Sequence, residues 1–464
     1  MTLREYQLKG VEDIRTAYRS GFDRVLYTAP TGSGKTVLFT FMASEASRRK
    51  KRTLILMHRV ELIRQTSDKL KEFGVPHGVI HPDYRYDLHH YVQVASIQTL
   101  SRRLSKIPYR FDLIIRDEAH HATTKTDTAI YSEFSDARIL GVTATPIRTD
   151  GAGLIEVFET LVNGPTVREL INAGYLSDYR IFAPSTVDRD SFRSKMGDFD
   201  LHDLDEAMDK PKIIGDAVET YAKYSRGLPG VYFCVTVKHA RHQADAFRAA
   251  GIRAESIDGG LPDTERKRMI EGLGSGNLDV LVSCEIVSEG TDIPAINTAG
   301  LLRPTQSLSL YLQQVGRALR LFPGKKHAII LDHVGNCKQH GFPDDEREWS
   351  LEGKKRSGRQ KEEPAENVKQ CEQCYFVYRP APACPNCGFA GIPKPKREIE
   401  TEAGELKELD PYEKRRIRGY EMSKIRTLED AIAYGASKGY KPGWAHFYWQ
   451  SNQRKQAMQE KQAI

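Results

Sequence analysis

No apolar run in the 464-residue chain approaches eighteen residues, so no segment reads as a membrane-spanning helix. The opening MTLREYQLKG also lacks a basic stretch followed by an apolar one; no signal peptide is expected, and the cytosol is the expected compartment. Cysteine is scarce, at 7 residues, which excludes a disulfide-stapled scaffold. One-sided charge is missing too: 69 basic residues face 62 acidic ones. With 39% hydrophobic and 28% charged residues, the composition excludes wholesale disorder and collagen-like repeats. No repeat of 20 to 50 residues is visible, and the length calls for several packed units.

What charge imbalance exists is concentrated. From Leu351 to Ile464 there are 22 basic and 16 acidic residues, leaving 47 against 46 in the first 350. That last quarter also holds Trp444 and Trp449, two of the three tryptophans. A basic, aromatic tail suits a polyanion or a protein partner, and a solvated tail is the plainer alternative.

Short apolar runs alternate with helix-period stretches. RVLYTAP, TLILMH, YVQVASI, FDLIIRDE and ARILGVTAT read as strands, with helices over residues 35–50 and 60–73. After an acidic stretch the alternation resumes with GVYFCVT, a helix over 238–250, LDVLVSC, NTAGLLRP, a helix over 307–319 and HAIILDHV. The fold class expected is α/β, two tandem parallel-sheet domains followed by a cysteine module and a small helical segment. The boundaries expected are 1–165, a linker or hinge with a connecting strand over 166–211, 212–345, an exposed charged linker over 346–367, the cysteine module at 368–392, a second linker over 393–411, and 412–464. Cys234 and Cys284 fall in strand-like runs and read as small core residues.

Three motifs carry chemistry. Ala29-Pro30-Thr31-Gly32-Ser33-Gly34-Lys35-Thr36 lies between a strand and a helix, where small residues let backbone N–H groups converge on phosphate oxygens. Lys35 would reach the β and γ phosphates of ATP, and the Thr36 hydroxyl would bind Mg²⁺, although Ala29 replaces the usual first glycine. Asp117-Glu118-Ala119-His120 follows the strand LIIR; Asp117 can hold Mg²⁺ and Glu118 can activate the attacking water. Cys371, Cys374, Cys384 and Cys387 form two CxxC pairs, the donor set of a closed tetrahedral Zn²⁺ site rather than of a redox centre.

The ordered set resembles the superfamily 2 helicases over residues 1 to 335. The resemblance implies two RecA-like domains and these roles. Arg4 and Gln7 in LREYQ read the adenine. Arg59 in HRVEL, Ser96, Gln98 and Thr99, and Thr236 touch nucleic acid, while His120, Thr143 and Thr145 couple hydrolysis to movement. Gly290 and Asp292 in SEGTD belong to the nucleotide set, and Gln313, Arg317 and Arg320 to the catalytic one, the two arginines reaching the γ-phosphoryl across the cleft.

Domain order and the aromatic end segment are similar to the RadD (YejH) branch of bacterial and phage repair helicases. That likeness implies a monomeric motor on single-stranded or junction DNA, RNA being less favoured, with a repair or replication protein as partner. An RNA helicase, or a zinc-ribbon adaptor switched by ATP, are the alternatives. Pro343-Asp344 with Glu352-Gly353-Lys354 has the residue types of a metal-dependent nuclease but no flanking strands, and reads as a domain exit. Trp444, Phe447 and Tyr448, at i, i+3 and i+4, form a stripe that suits docking or a core more than base stacking. Removing residues 351–464 is expected to leave both motor domains folded.

Overall fold

In a computed structural model the described residues are 2–148, 151–184, 193–195, 198–284, 296–353, 365, 367–390, 421–441 and 443–462. They form two compact units, Met1–Ile392 and Pro393–Ile464. No helix among them is long and apolar enough to cross a membrane.

The first sheet holds β1 (Arg24–Thr28), β2 (Thr53–Met57), β3 (His77–Ile80), β4 (Val92–Ser96), β5 (Leu113–Asp117), β6 (Arg138–Thr143) and β7 (Thr160–Asn163). Their order is β3-β4-β2-β5-β6-β1-β7, and every pairing is parallel. Because successive side chains point to opposite faces, Val25, Tyr27, Ile55 and Met57 enter one core while Leu26, Leu54 and Leu56 enter the other. This double burial is why the strands read as continuous apolar runs.

The second sheet begins with β8 (Tyr179–Phe182). A small ladder of β9 (Ser194–Lys195) and β10 (Asp198–Phe199) follows, then β11 (Gly230–Cys234), β12 (Ala254–Ile257), β13 (Val280–Cys284), β14 (Thr298–Leu301) and β15 (Ala328–Asp332). The hairpin of β16 (Lys369–Gln370) and β17 (Phe376–Tyr378) completes the order β12-β13-β11-β14-β15-β8-β17-β16. Pairing is parallel through β8, and β17 then runs antiparallel to it. Cys234 and Cys284 lie in this domain's core.

Of residues 166–211, read above as a linker with one strand, Leu170, Leu176, Ile181, Phe199, Leu204 and Met208 are buried in the second core. Their acidic neighbours hid the apolar face: Asp209 pairs with Lys238 at 3.0 Å, and Asp198 accepts from Thr305 Oγ1 at 3.0 Å and Gln306 N at 2.7 Å.

The stretch after residue 345 is also not a free linker. Arg347 donates to the carbonyls of His340 at 3.1 Å, Phe342 at 2.8 Å and Asp345 at 2.9 Å, anchoring it to the second domain. Four residues on, Leu351 O accepts from Leu154 N at 2.7 Å and Ile155 N at 3.0 Å, and Ala152 bridges Gly353. The backbones meet so closely that a Cβ on Gly153 would lie 2.0 Å from Leu351 O, so this crossing needs glycine. The chain is therefore a strap from the second domain back to the first. By Ala365, whose N–H donates to Lys338 O at 2.9 Å, it has returned.

The cysteine module is likewise part of the motor. Val377 pairs with Ile181 and Phe376 with Phe182; Ala183 N donates to Tyr375 O at 2.9 Å, and Tyr224 OH to Cys374 O at 3.3 Å. Cutting the chain at residue 351 would thus strip β8 of its outer neighbour, against the expectation that the motor would be untouched. Replacing Cys384 and Cys387 by serine is expected to lower the melting temperature of the second domain as well as abolish metal uptake. Thermal unfolding beside a zinc assay checks this, and an unshifted melt with lost metal would refute the coupling.

In the second unit, helix Leu428–Ser437 starts at a Thr427–Asp430 capping box and packs on helix Trp444–Gln462. The aromatic stripe splits. Trp444 stacks on Tyr448 at 5.1 Å and lies 4.7 Å from Tyr440, whereas Phe447 is 76% exposed.

Candidate functional site

The P-loop leaves β1 and ends at the first turn of helix Lys35–Arg48. Gly32 (φ 87°) and Gly34 (φ 77°) take left-handed conformations, the kind a loop of converging amides requires. A Cβ on Gly34 would sit 2.7 Å from Gln7 Nε2. That amide donates to Ser33 O at 3.3 Å and Gly34 O at 3.2 Å, so Gln7, 4% exposed, braces the loop from behind. Arg4 N donates to Gln7 Oε1 at 3.0 Å, and the Arg4 guanidinium lies 4.4 Å over the Tyr175 ring. Tyr6, overlooked in the sequence although it precedes Gln7, donates its hydroxyl to Ser33 O at 2.7 Å.

Lys35 Nζ donates to Ala29 O at 3.0 Å and Pro30 O at 3.2 Å, inside the loop's concavity. Loss of water lowers its pKa, while the charges of Glu118 and Asp117 oppose that shift, so the three groups share one electrostatic site. Asp117 ends β5; burial, then the charge of Glu118, pushes its carboxyl up to about 6. A cation there would offset both effects, which suits Mg²⁺ held by Asp117 with Thr36, one residue into the P-loop helix. Ser33 Oγ is buried with no hydrogen-bond partner among the described residues, a further fit to a phosphate ligand.

Glu118 itself has a left-handed backbone (φ 50°), the sort of strain found where a side chain must be aimed. Its Oε2 lies 3.4 Å from His120 Nδ1, and that nitrogen is 3.1 Å from Thr143 Oγ1. Thr143 Oγ1 donates to Thr145 O at 2.9 Å, and Thr145 Oγ1 donates to Ser309 Oγ of the second domain at 2.6 Å. A run of close polar contacts thus leads from the proposed base to the opposite domain, with the Thr145 backbone carbonyl as one of its members. Ser309 could not be found in the sequence, because its partner is 164 residues away.

Helix Leu308–Ala318 carries Gln313 and Arg317, and Arg320 follows two residues after its end. Gly316 lets it press on the P-loop: a Cβ there would lie 2.7 Å from Thr31 Cβ. Arg320 Cγ is 3.5 Å from where Gly32 would carry a Cβ, and its charge reaches Lys35. Arg317 is 7% and Gln313 6% exposed. Gly290 and Asp292 lie outside the described residues.

Arg59 caps the helix after β2, and Ser96 ends β4, the strand paired with β2, with Gln98 and Thr99 just beyond it. Ser96 Oγ donates to Gln98 Oε1 at 3.0 Å and accepts from Thr99 N at 3.4 Å. Thr236 occupies the equivalent place after β11, capping His239 N at 3.1 Å. All five residues therefore stand at the carboxyl ends of strands, where open α/β sheets bind ligands.

The thiols of Cys371, Cys374, Cys384 and Cys387 all lie within 4.8 Å of one another. Cys371–Cys387 is 3.6 Å and Cys374–Cys384 is 3.7 Å, close to the roughly 3.8 Å edge of a tetrahedron with 2.3 Å Zn–S bonds. The set is compatible with zinc. The nuclease-like carboxylate Asp344 is instead enclosed, its side chain 1% exposed, with Arg168, Tyr179 and Arg379 on its oxygens.

Comparison with known proteins agrees with this geometry. The family described as type III restriction enzyme, res subunit, matches residues 1–148, and the helicase conserved C-terminal domain matches residues 209–322. A 51.5 kDa protein of Lactococcus phage (isolate 7-9) is 32% identical over 394 residues, covering 84% of this chain and 82% of the phage protein. IRC3 of Saccharomyces cerevisiae, which carries a provisional ATP-dependent helicase name, is 32% identical over 355 residues; 72% of this chain and 51% of IRC3 are covered, so the chain spans about half its length. The DNA 3'-5' translocase XPB2 of Sulfurisphaera tokodaii is 24% identical over 374 residues, covering 72% and 81%. With both halves of the motor matched and the ATP cleft assembled between them, the chain belongs to the superfamily 2 helicases, ATP-hydrolysing helicases or translocases of nucleic acid.

Proposed function

We propose that the chain is a DNA motor of the RadD branch, in which ATP hydrolysis in the cleft drives the two domains past each other along one strand. The observation that carries this reading is the run of polar contacts from Glu118 through His120, Thr143 and Thr145 to Ser309, which links the second domain to the hydrolytic base. Lys35 and the P-loop amides bind the triphosphate, Glu118 orients and deprotonates the water, and Arg317 with Arg320 stabilises charge on the γ-phosphoryl. Thr36 and Asp117 would hold Mg²⁺, which would neutralise phosphate charge. Arg59, Ser96, Gln98 and Thr99 hold the strand on the first domain and Thr236 on the second. The four thiolates would hold Zn²⁺ in a structural role.

The name of the XPB2 relative supports DNA over RNA. ATPase activity measured with single-stranded DNA, duplex DNA and RNA at one salt concentration tests the choice. The largest stimulation is expected from single-stranded or junction DNA. RNA stimulating as strongly would sink the DNA assignment, and no stimulation by any polymer would favour an ATP-switched adaptor.

A further inference from the structure

Beneath the strap lies a cavity of about 540 Å³ that none of the roles above uses. Ile147 of the first domain, Gln306, Leu308 and Gln339 of the second, and Trp349 and Gly353 of the strap line it. We propose that this cavity binds an unpaired nucleobase of the strand being tracked, with Trp349 as its stacking platform. The inference rests on the motor reading.

The chemistry of the lining favours a base over other ligands. An indole face and two aliphatic side chains offer a flat ligand apolar contact, while Gln306 and Gln339 each bring a carboxamide able to donate and accept, the pairing that base edges require. The volume is within the range of small-molecule sites and holds one nucleotide comfortably. Arg347 and His340 also line the cavity, but the Arg347 guanidinium already donates to the carbonyls of His340, Phe342, Pro343 and Asp345, and Glu348 adds negative charge, so the base is the part the lining suits. A paired base has neither face nor edge free, so the ligand is single-stranded.

Position and rigidity add to the argument. Trp349 sits between Arg347, bonded to second-domain carbonyls, and Leu351, bonded to the first domain, so the chain that carries the indole is tethered on both sides before any ligand arrives. Leu308 and Ile147 flank the Thr145–Ser309 hydrogen bond, which places an occupant directly against the run of polar contacts from the ATP site. The adenine site is elsewhere: Gly316 meets the P-loop eight residues further along the helix, about 12 Å from Leu308.

The chain has 3 tryptophans, so Trp444→Phe with Trp449→Phe leaves Trp349 as the single indole. Its emission is followed during titration of the full-length protein with oligodeoxythymidine and with an abasic oligodeoxyribose of equal length, while fluorescence anisotropy reports total binding. Oligodeoxythymidine is expected to quench the indole and the abasic strand to leave it unchanged. Trp349→Ala should weaken oligodeoxythymidine binding roughly 5- to 150-fold, the worth of one stacked base, and Trp349→Phe should restore most of it. Full binding by anisotropy with a silent indole would overturn the pocket and leave the motor reading standing, as would an equal loss for the abasic strand. Binding of neither strand would overturn the motor reading itself. Should Trp349→Ala fail to fold, the quenching titration decides alone.

Discussion

Lys35→Ala is expected to abolish ATP turnover, and Glu118→Gln to keep nucleotide binding while cutting turnover by roughly 10² to 10⁴, the usual worth of a general base. The two substitutions fail for different reasons. Lys35 sits in the loop's concavity on Ala29 O and Pro30 O, where a bound triphosphate would become its partner, so its loss removes binding energy as well as charge stabilisation. Glu118 acts on Lys35 through its charge and lies 3.4 Å from His120. Steady-state ATPase assays with nucleotide affinity measured in parallel distinguish the cases. Near-normal turnover in either variant would remove the P-loop or the DEAH segment from the mechanism.

Arg317→Ala should cost about 10³ to 10⁵ in turnover, as arginine fingers typically do, with little change in ATP affinity. Gly316 seats this end of the helix on Thr31 and Arg320 stands beside Gly32, so the segment that carries both arginines borders the phosphate loop. A first-domain fragment should be almost inactive for the same reason, but its end point matters. Stopping at residue 184 would carry along β8, a strand whose partners β15 and β17 are in the second sheet. Ending near Asn163, after β7, leaves the first sheet whole. A fragment of that length with full ATPase activity would show that the second domain takes no part in hydrolysis.

The ATP site was legible in the sequence because its chemistry is local. A P-loop needs eight consecutive residues, the DEAH segment four, and both follow apolar runs that announce their strands. The helix boundaries were legible for the same reason: 35–48, 60–72, 237–249 and 308–318 differ from expectation by one or two residues. The contacts that tie these pieces together were not. Ser309, Tyr175 and the Gly153–Leu351 crossing are chosen by three-dimensional fit between distant segments, and nothing in their own neighbourhoods marks them. The strap and the acidic stretch before residue 211 misled for a related reason. Each buries a few apolar side chains among many charged ones, and average polarity outweighs a sparse buried face. β3, β7 and β12, four residues each, were too short to stand out.

The pairing of β17 with β8 sets an order on biosynthesis. Gln370 Nε2 donates to Ala183 O from 187 residues further along the chain, so β8 is made long before its outer neighbour exists. On one side it waits for β15, and on the other for the cysteine hairpin. Until that hairpin leaves the ribosome and closes, the motor presents an open sheet edge, the kind of surface through which nascent chains join one another. The four cysteines thus belong to the element that covers this edge last, and if they hold zinc as proposed, a cell short of it would meet the deficit first as misassembled newly made chains.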